Sequence, residues 1–209
     1  MRPLRQSPTV VTLALVLAVF ACQQVAGLLG WRGLFALSNP LLARPWTLVT
    51  SVYAHENVSH LVANALALAL GGLLVERATT GARFHAFFVG VGALAGATQV
   101  AVAGLVGPVV PGLPAKVTVL GASGAVFGLY GYLLGANRLT EWVVAGVELA
   151  PRVQLALGVV LAAVVTLLTA NPGAALIAHF TGLLVGFLAG RGHLLAPSER
   201  PRERRPTVE

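Results

Sequence analysis

The chain has 209 residues, of which 56% are hydrophobic and only 10% are charged, and its formal net charge is +7. Its mean hydropathy of +0.82 excludes an ordinary soluble globular protein and indicates a membrane protein. Most of the positive charge lies at the ends of apolar runs and in the terminal stretch "RPRERRPTVE". That placement is typical of a membrane surface, so we expect no nucleic-acid partner.

Apolar runs follow one another along the chain, and each is close to the length that a membrane-spanning helix needs. We therefore predict an all-α polytopic membrane protein with six transmembrane helices. A turn signal at Asn171-Pro172 separates the last two runs, which predicts an antiparallel helix pair there. The predicted helices cover residues 9–29, 58–75, 84–106, 119–136, 153–170 and 173–190.

These helices define one membrane-embedded core, residues 9–190, between a short N-terminal segment, 1–8, and a basic tail, 191–209. The composition of the tail is typical of a disordered segment. With a cytoplasmic N-terminus, eleven basic residues lie on the cytoplasmic side and three outside, which predicts that both termini are cytoplasmic. A competing interpretation makes residues 1–22 a cleaved signal sequence. It is disfavoured because the apolar run continues to Leu29.

The second predicted helix carries two polar side chains near its start. His60 and Asn64 are four residues apart and therefore share one helical face. Taken alone, they are equally well explained by hydrogen bonds between helices. Just before this helix, at the loop edge, we expect His55 and Glu56 to be structural or solvated.

The fourth predicted helix, "VLGASGAVFGLYGYLLGA", carries Ser123 between glycines near its start. A serine in a membrane usually bonds to its own helix or lies at a contact between small residues. His179, in the sixth predicted helix, is different because an ionisable group inside a bilayer is costly and by default indicates a functional site. Counted at about 1.5 Å per residue, both lie roughly 6 to 9 Å below the outer face. His60 and Asn64 fall in the same layer.

Glycines accompany both of these polar residues. Gly124 and Gly128 on the fourth predicted helix, with Gly182 and Gly186 on the sixth, form small-residue ridges. Such ridges let two helix backbones approach closely. They would bring Ser123 within reach of His179, although ordinary close packing explains them as well.

The four polar residues are a set that serine chemistry can use. A serine needs a base to become a nucleophile, and an oxyanion needs hydrogen-bond donors. Because the sequence contains no aspartate, a Ser-His-Asp triad is excluded and a Ser-His dyad is the remaining form. Metal binding by the two histidines is the competing use, but the remaining ligand set is thin. We expect no metal and no cofactor.

At these residues the sequence resembles the rhomboid family of intramembrane serine proteases. The resemblance covers roughly residues 9–190, includes Trp46 in the first loop and Glu76 after the second helix, and rests on three motifs in order. The motifs are His55-x4-His60-x3-Asn64, Gly121-x-Ser123-Gly124 and Ala178-His179-x2-Gly182-x3-Gly186.

The resemblance implies a six-helix rhomboid-like bundle in which Ser123 is the nucleophile and His179 is the base. It also implies that the Ser123 backbone N–H helps to line the oxyanion site. The residues implied for oxyanion or substrate binding are His60, Asn64 and Gly121. Those implied to be structural near the site are His55, Gly124, Phe127, Gly182 and Gly186.

Two positions depart from the family pattern. Thr47 stands where an arginine usually follows the loop tryptophan, and Phe127 stands where a tyrosine is frequent. Phe127 can still stack on the base but offers no hydroxyl. Since neither change removes a catalytic group, the resemblance implies an active enzyme.

The implied function is intramembrane serine endopeptidase, cleaving transmembrane segments of other membrane proteins near the outer face. Its partners would be those substrates and the lipid bilayer, and we expect it in the cell (inner) membrane of a bacterium. The alternative is a catalytically silent relative that binds transmembrane segments for quality control or trafficking. A small transporter is a third reading, disfavoured because the spans hold no paired charges and no internal repeat is detectable.

Overall fold

The computed structural model describes residues 7–31, 33–110, 114, 116–136, 151–168 and 175–196. The predicted turn at Asn171-Pro172, residues 1–6 of the N-terminal segment and residues 197–209 of the tail lie outside the described residues.

The described chain is mostly helical. Its helices are α1 (Pro8–Leu28), α2 (Thr47–Thr50), α3 (Val58–Val75), α4 (Gly81–Val106), α5 (Ser123–Gly135), α6 (Pro151–Leu168) and α7 (Leu176–Arg191). Two short strands, β1 (Leu37–Ser38) and β2 (Thr118–Val119), and two 3₁₀ turns, Leu41–Ala43 and Glu76–Ala78, complete the described elements.

Three helical segments of the described chain are long and apolar enough to cross a membrane: Pro8–Leu28, Val58–Ala78 and Gly81–Val106. Leu176–Arg191 is a shorter apolar helix. The predicted second helix, 58–75, has the same bounds as α3.

The fourth predicted helix starts later than its hydropathy indicates. Residues 119–122 are not helical, because Thr118 and Val119 pair with Ser38 and Leu37 in the antiparallel β1–β2 ladder. After β2, Gly121 adopts a φ of +132°, which turns the chain before α5 begins. Ser123 is therefore the first residue of α5 rather than a residue one turn inside it.

The helices α3, α5 and α7 run parallel to one another and begin at the same end of the bundle, which we call the site end. The Tyr130 hydroxyl of α5 donates to the Ala67 carbonyl of α3 over 3.1 Å. The helix α4 runs antiparallel between them, and its Phe88 is fully buried together with Leu68 of α3 and Leu129 of α5. The apolar core thus lies between α3, α4 and α5.

The helix α1 is fixed against α3 at the end opposite the site. There Glu76 accepts hydrogen bonds from the Ser7 hydroxyl at 2.7 Å and the Thr9 backbone N–H at 3.1 Å. A carboxylate at a helix N-terminus satisfies N–H groups that have no partner within the helix. Gly72 leaves room for Thr9, since a Cβ there would lie 2.8 Å from the threonine side chain.

The helices α5 and α7 make the closest backbone contact of the described chain. A Cβ added to Gly182 would fall on the Gly124 carbonyl oxygen, and one added to Gly186 would fall on the Gly128 carbonyl oxygen. The seam continues beyond the predicted glycines, because a Cβ at Gly190 would lie 2.5 Å from the Ala136 nitrogen. Only residues without a side chain permit this approach.

Candidate active site

Ser123 and His179 are joined by a hydrogen bond at the site end. The serine hydroxyl and His179 Nε2 are 2.9 Å apart. Ser123 opens α5 and His179 lies one turn into α7, so the glycine seam between the two helices sets their separation. Such a pair allows the imidazole to accept the hydroxyl proton when the serine oxygen attacks.

The imidazole of His179 is 9% exposed and stacks on Phe127, with ring centroids 4.5 Å apart and planes 25° apart. For the serine to donate to Nε2, the ring must carry its proton on Nδ1. That Nδ1 is buried and has no hydrogen-bond partner within the part of the chain that the structure describes. No third side chain of that part therefore orients the imidazole as an aspartate does in a triad.

The N-terminus of α7 is held by a side chain of α4. Gln99 Oε1 accepts hydrogen bonds from the backbone N–H groups of Ile177 at 3.1 Å and Ala178 at 3.3 Å. The residue before the helix, Ala175, supplies no side-chain cap. Gln99 thus satisfies two of the N–H groups that a helix start leaves unpaired.

The chain approaches Ser123 through the turn at Gly121. Its backbone N–H donates to the Ser51 carbonyl over 2.9 Å, which fixes the turn to the first loop. A Cβ at Gly121 would lie 2.7 Å from Cε1 of His60, so the imidazole packs directly on the glycine. The positive φ and this contact both require glycine.

His55 is fully buried beside this turn. Its Nδ1 lies 3.1 Å from the Tyr53 carbonyl, and its Nε2 accepts the Ala122 backbone N–H at 3.4 Å. The two contacts assign the proton to Nδ1, since a carbonyl can only accept and an N–H can only donate. The side chain of Gln23 in α1 bonds to the backbone of His55 twice. Its amide nitrogen donates to the His55 carbonyl over 2.9 Å, and its amide oxygen accepts the His55 N–H at 3.0 Å.

Burial and, to a smaller extent, the nearby His60 lower the pKa of His55 from its ordinary value to about 4. Its hydrogen bond with the Tyr53 carbonyl acts in the opposite direction. His55 is therefore neutral at pH 7, which it must be to accept the Ala122 N–H.

His60 and Asn64 share one face of α3, as their spacing predicts. Asn64 is 7% exposed, and its amide donates to the His60 carbonyl over 3.0 Å. The His60 ring meets His55 edge-on, with centroids 5.1 Å apart. At the start of α3, Asn57 accepts the His60 backbone N–H at 2.9 Å and so caps the helix.

A cleft of about 310 Å³, counting its open mouth, lies beside Ser123 between α4, α5 and the first turn of α7. Four of its eleven lining residues are glycines, which have no side chains to fill the space beside the nucleophile candidate. Its lining consists of Ser51, Val52, Gly92, Gly96, Val119, Leu120, Gly121, Ser123, Gly124, Ala175 and Ala178.

The first loop folds over the site end. Trp46 donates from its indole N–H to the Leu34 carbonyl over 3.0 Å. Thr47 is buried, and its hydroxyl donates to the Arg44 carbonyl over 2.6 Å. The Arg44 guanidinium donates to the Gly33 carbonyl and to the Ser38 hydroxyl. Thr47 stands where the family pattern has an arginine, and it is the guanidinium of Arg44 that bonds to the loop backbone here.

Two residues outside the predicted set, Gln23 and Gln99, contribute hydrogen bonds at the site end. Gln23 and Gln99 are polar side chains within apolar helices, which is the same signal that singled out the histidines. Glu56 is exposed in the loop, two residues before α3 begins. His85 lies 3.3 Å from the Thr12 hydroxyl near the other end of the bundle. Within the described ranges, no three His, Cys, Asp or Glu side chains are placed to hold a metal ion together.

The fold and the site together define a helical integral membrane protein with a serine–histidine pair near one end of its bundle. The family model for the Rhomboid domain matches residues 42–195. The chain belongs to the rhomboid family, which confirms the resemblance of the motifs.

Two relatives from Arabidopsis thaliana were found. RHOMBOID-like protein 5 is 32% identical over 168 residues, which are 79% of this chain and 50% of the relative. RHOMBOID-like protein 1 is 30% identical over 153 residues, which are 73% of this chain and 35% of the relative. The chain spans half the length, or less, of these curated relatives.

Proposed function

We propose that the chain is an intramembrane serine endopeptidase that cleaves transmembrane segments of other membrane proteins. The observation that carries the proposal is the 2.9 Å hydrogen bond between Ser123 and His179, made within a bundle of apolar helices. The proposed core, residues 9–190, crosses the membrane six times and has both termini in the cytoplasm. The site end then faces the outer side.

In this proposal Ser123 is the nucleophile and His179 the general base. His179 takes the hydroxyl proton as the serine oxygen attacks the peptide carbonyl, and returns it to the leaving amine. Water then hydrolyses the acyl-enzyme with His179 again acting as the base. Phe127 supports the imidazole through the stacked contact.

The oxyanion formed in that step requires donors near Ser123. We assign this role to the Ser123 backbone N–H, which lies at the positive N-terminal end of α5, and to the side chains of His60 and Asn64. His60 packs on Gly121, next to the nucleophile, whereas the Asn64 amide points to the His60 carbonyl and must turn to reach the substrate. Gly121 lines the cleft beside Ser123, and we assign it to substrate binding.

The proposed partners are membrane proteins with a transmembrane helix, in the lipid bilayer that surrounds the bundle. The relatives named above are plant proteins, so the comparisons do not support the expectation of a bacterial inner membrane. The alternative function is that of a catalytically silent protein that binds transmembrane segments. Such a protein would have the same fold but would not cleave peptide bonds.

A serine-reactive fluorophosphonate separates the two functions. We expect the wild type to be labelled and to cleave a co-expressed single-span protein. Ser123→Ala removes the nucleophile, and His179→Ala removes the base that activates it, so each should abolish labelling and cleavage. Labelling in membranes, with mass spectrometry of the labelled peptide, checks this.

Ser59→Ala is the matched control. Ser59 is an exposed serine close to the site end, and among the described residues its hydroxyl donates to the Asn57 side chain over 2.7 Å. This variant should behave as the wild type does. A wild type that neither labels nor cleaves, or a Ser123→Ala variant that still does both, contradicts the proposed protease.

A further inference from the structure

The imidazole of His179, the proposed base, has no hydrogen bond at its second ring nitrogen within the described residues. In a triad, a carboxylate bonded to the second ring nitrogen fixes the tautomer and direction of the imidazole. His179 Nδ1 is buried without a partner among the described residues. The direction of the ring thus depends on stacking against Phe127 and on where the backbone of α7 places the side chain.

The first turn of α7 contains backbone N–H groups that cannot bond within their own helix. His179 lies in this turn, and its backbone N–H bonds to the Ala175 carbonyl over 3.0 Å. The N–H groups of Ile177 and Ala178, just before it, have no carbonyl of their own helix to bond. An N–H group at a helix start that is left without a partner favours movement or fraying of the turn.

Gln99 meets both N–H groups with a single oxygen, from the neighbouring helix α4. It lies one turn beyond Gly96, which lines the same cleft as Ala175 and Ala178. One side chain therefore ties the turn that carries the base to the wall beside the nucleophile.

We propose that Gln99 is a positioning residue for catalysis. It fixes the first turn of α7 and thereby holds His179 at hydrogen-bond distance from Ser123. This inference rests on the proposed function for its catalytic consequence, but the contact between α4 and α7 does not depend on it.

The test compares two substitutions of similar size. Gln99→Met keeps the length of the side chain but replaces the amide oxygen by a thioether, which is only a weak acceptor. Gln99→Glu keeps a strong acceptor at a helix N-terminus, where negative charge is favourable. Gln99→Met should lower kcat by about 10- to 100-fold, the cost of a misplacement of about 1 Å, with KM nearly unchanged. Gln99→Glu should restore most of the turnover and of the rate of fluorophosphonate labelling at Ser123.

Thr98→Val is the matched control on the same helix. The Thr98 hydroxyl donates to the Leu94 carbonyl of its own helix, over 2.8 Å, so its loss should leave kcat unchanged. Equal losses in the Met and Glu variants, or an unchanged kcat in Gln99→Met, would overturn the positioning role.

Amide hydrogen exchange tests the contact without requiring activity. The peptide that contains residues 176–182 should exchange faster in Gln99→Met than in the wild type, Gln99→Glu or Thr98→Val. If the wild type neither labels nor cleaves, the proposed protease fails while exchange still decides whether Gln99 holds α7. Unchanged exchange in Gln99→Met would refute the inference.

Discussion

His55 shows how one buried side chain ties the site to the rest of the molecule. It bonds through its ring to Tyr53 and Ala122, and through its backbone to Gln23 of α1. These bonds use the neutral imidazole, with the proton on Nδ1. A second proton, on Nε2, would remove the acceptor for the Ala122 N–H, directly before the nucleophile proposed above.

Stability should consequently fall in acid. The folded pKa of about 4 lies below the ordinary value of 6.5, so the unfolded chain binds the extra proton first. The contribution of His55 is complete above about pH 6.5 and is lost at up to about 1.4 kcal/mol per pH unit as the pH falls to about 4. Thermal unfolding in detergent between pH 7 and pH 4 measures this loss.

His55→Gln supplies the comparison. A glutamine amide has both a donor for the Tyr53 carbonyl and an acceptor for the Ala122 N–H, and it does not titrate in this range. The variant should lose less stability than the wild type over the same pH interval, because only the wild type can protonate residue 55. Both proteins should still lose some stability, since the other histidines titrate in both. Parallel curves for the two proteins would show that His55 does not cause the acid sensitivity.

The sequence predicts the polar residues at the site end better than it predicts their bonds. Ser123 and His179 stand out because polar groups in apolar helices are costly, and counting residues from the helix starts predicts that both lie at one depth. Gln99 and Gln23 carry the same signal, but their helices run antiparallel to those of Ser123 and His179, so a comparison of helix starts overlooks them. The Asn64 bond to its own helix depends on a rotamer, which spacing does not determine.

At the scale of the elements, the α5–α7 seam is the contact that sets the distance between Ser123 and His179. The glycine pattern predicts that the two helices approach closely, and the structure shows backbone carbonyls at the positions that side chains would occupy. The start of α5 is less predictable. Hydropathy extends the helix back to residue 119, whereas pairing of β2 with a distant strand, and the turn at Gly121, decide its true start.

Gly186→Ala tests the seam. Its Cβ would fall on the Gly128 carbonyl oxygen and 2.8 Å from the carbonyl carbon, and backbone atoms cannot move aside as side chains do. The helices must then separate, at a cost of about 1–3 kcal/mol in unfolding free energy. The labelling rate at Ser123 should fall too, by about 10-fold or more, since reactivity depends strongly on the alignment of the pair.

Gly90→Ala is the control for this experiment, because a Cβ at this glycine of α4 meets nothing within 4 Å. It should leave labelling unchanged and stabilise the helix by roughly 0.5 kcal/mol, because alanine has a higher helix propensity than glycine. Thermal unfolding and labelling are measured on both variants. Similar losses in the two would mean that helix propensity or general packing, rather than the seam, accounts for the effect.

For the whole molecule, the position of the site along the bundle is the property that would constrain the substrates of the proposed protease. Ser123 begins α5, and His179 lies about one helical turn, roughly 5 Å, beyond the start of α7. The described part of the chain therefore places the pair near one end of the bundle and not at its middle. With the proposed orientation, only the outer end of a substrate helix can reach it.

Peptide bonds in a spanning helix are shielded by their own hydrogen bonds, and the bilayer offers no water in exchange. A substrate must therefore unwind locally, which is easiest at its outer end and near glycine or proline.

Inserting seven leucines on the outer side of the cleavage sequence moves it about 10 Å deeper into the membrane. This should lower cleavage at that bond by at least about 10-fold, because the bond no longer lies beside the serine–histidine pair. Inserting the same leucines on the cytoplasmic side lengthens the span equally but leaves the depth of the bond unchanged, so cleavage should persist. Mass spectrometry of the products identifies the bond that is cut. Equal cleavage of the two substrates would mean that depth does not govern selection, whereas loss with the cytoplasmic insertion alone would indicate that the site end faces the cytoplasm.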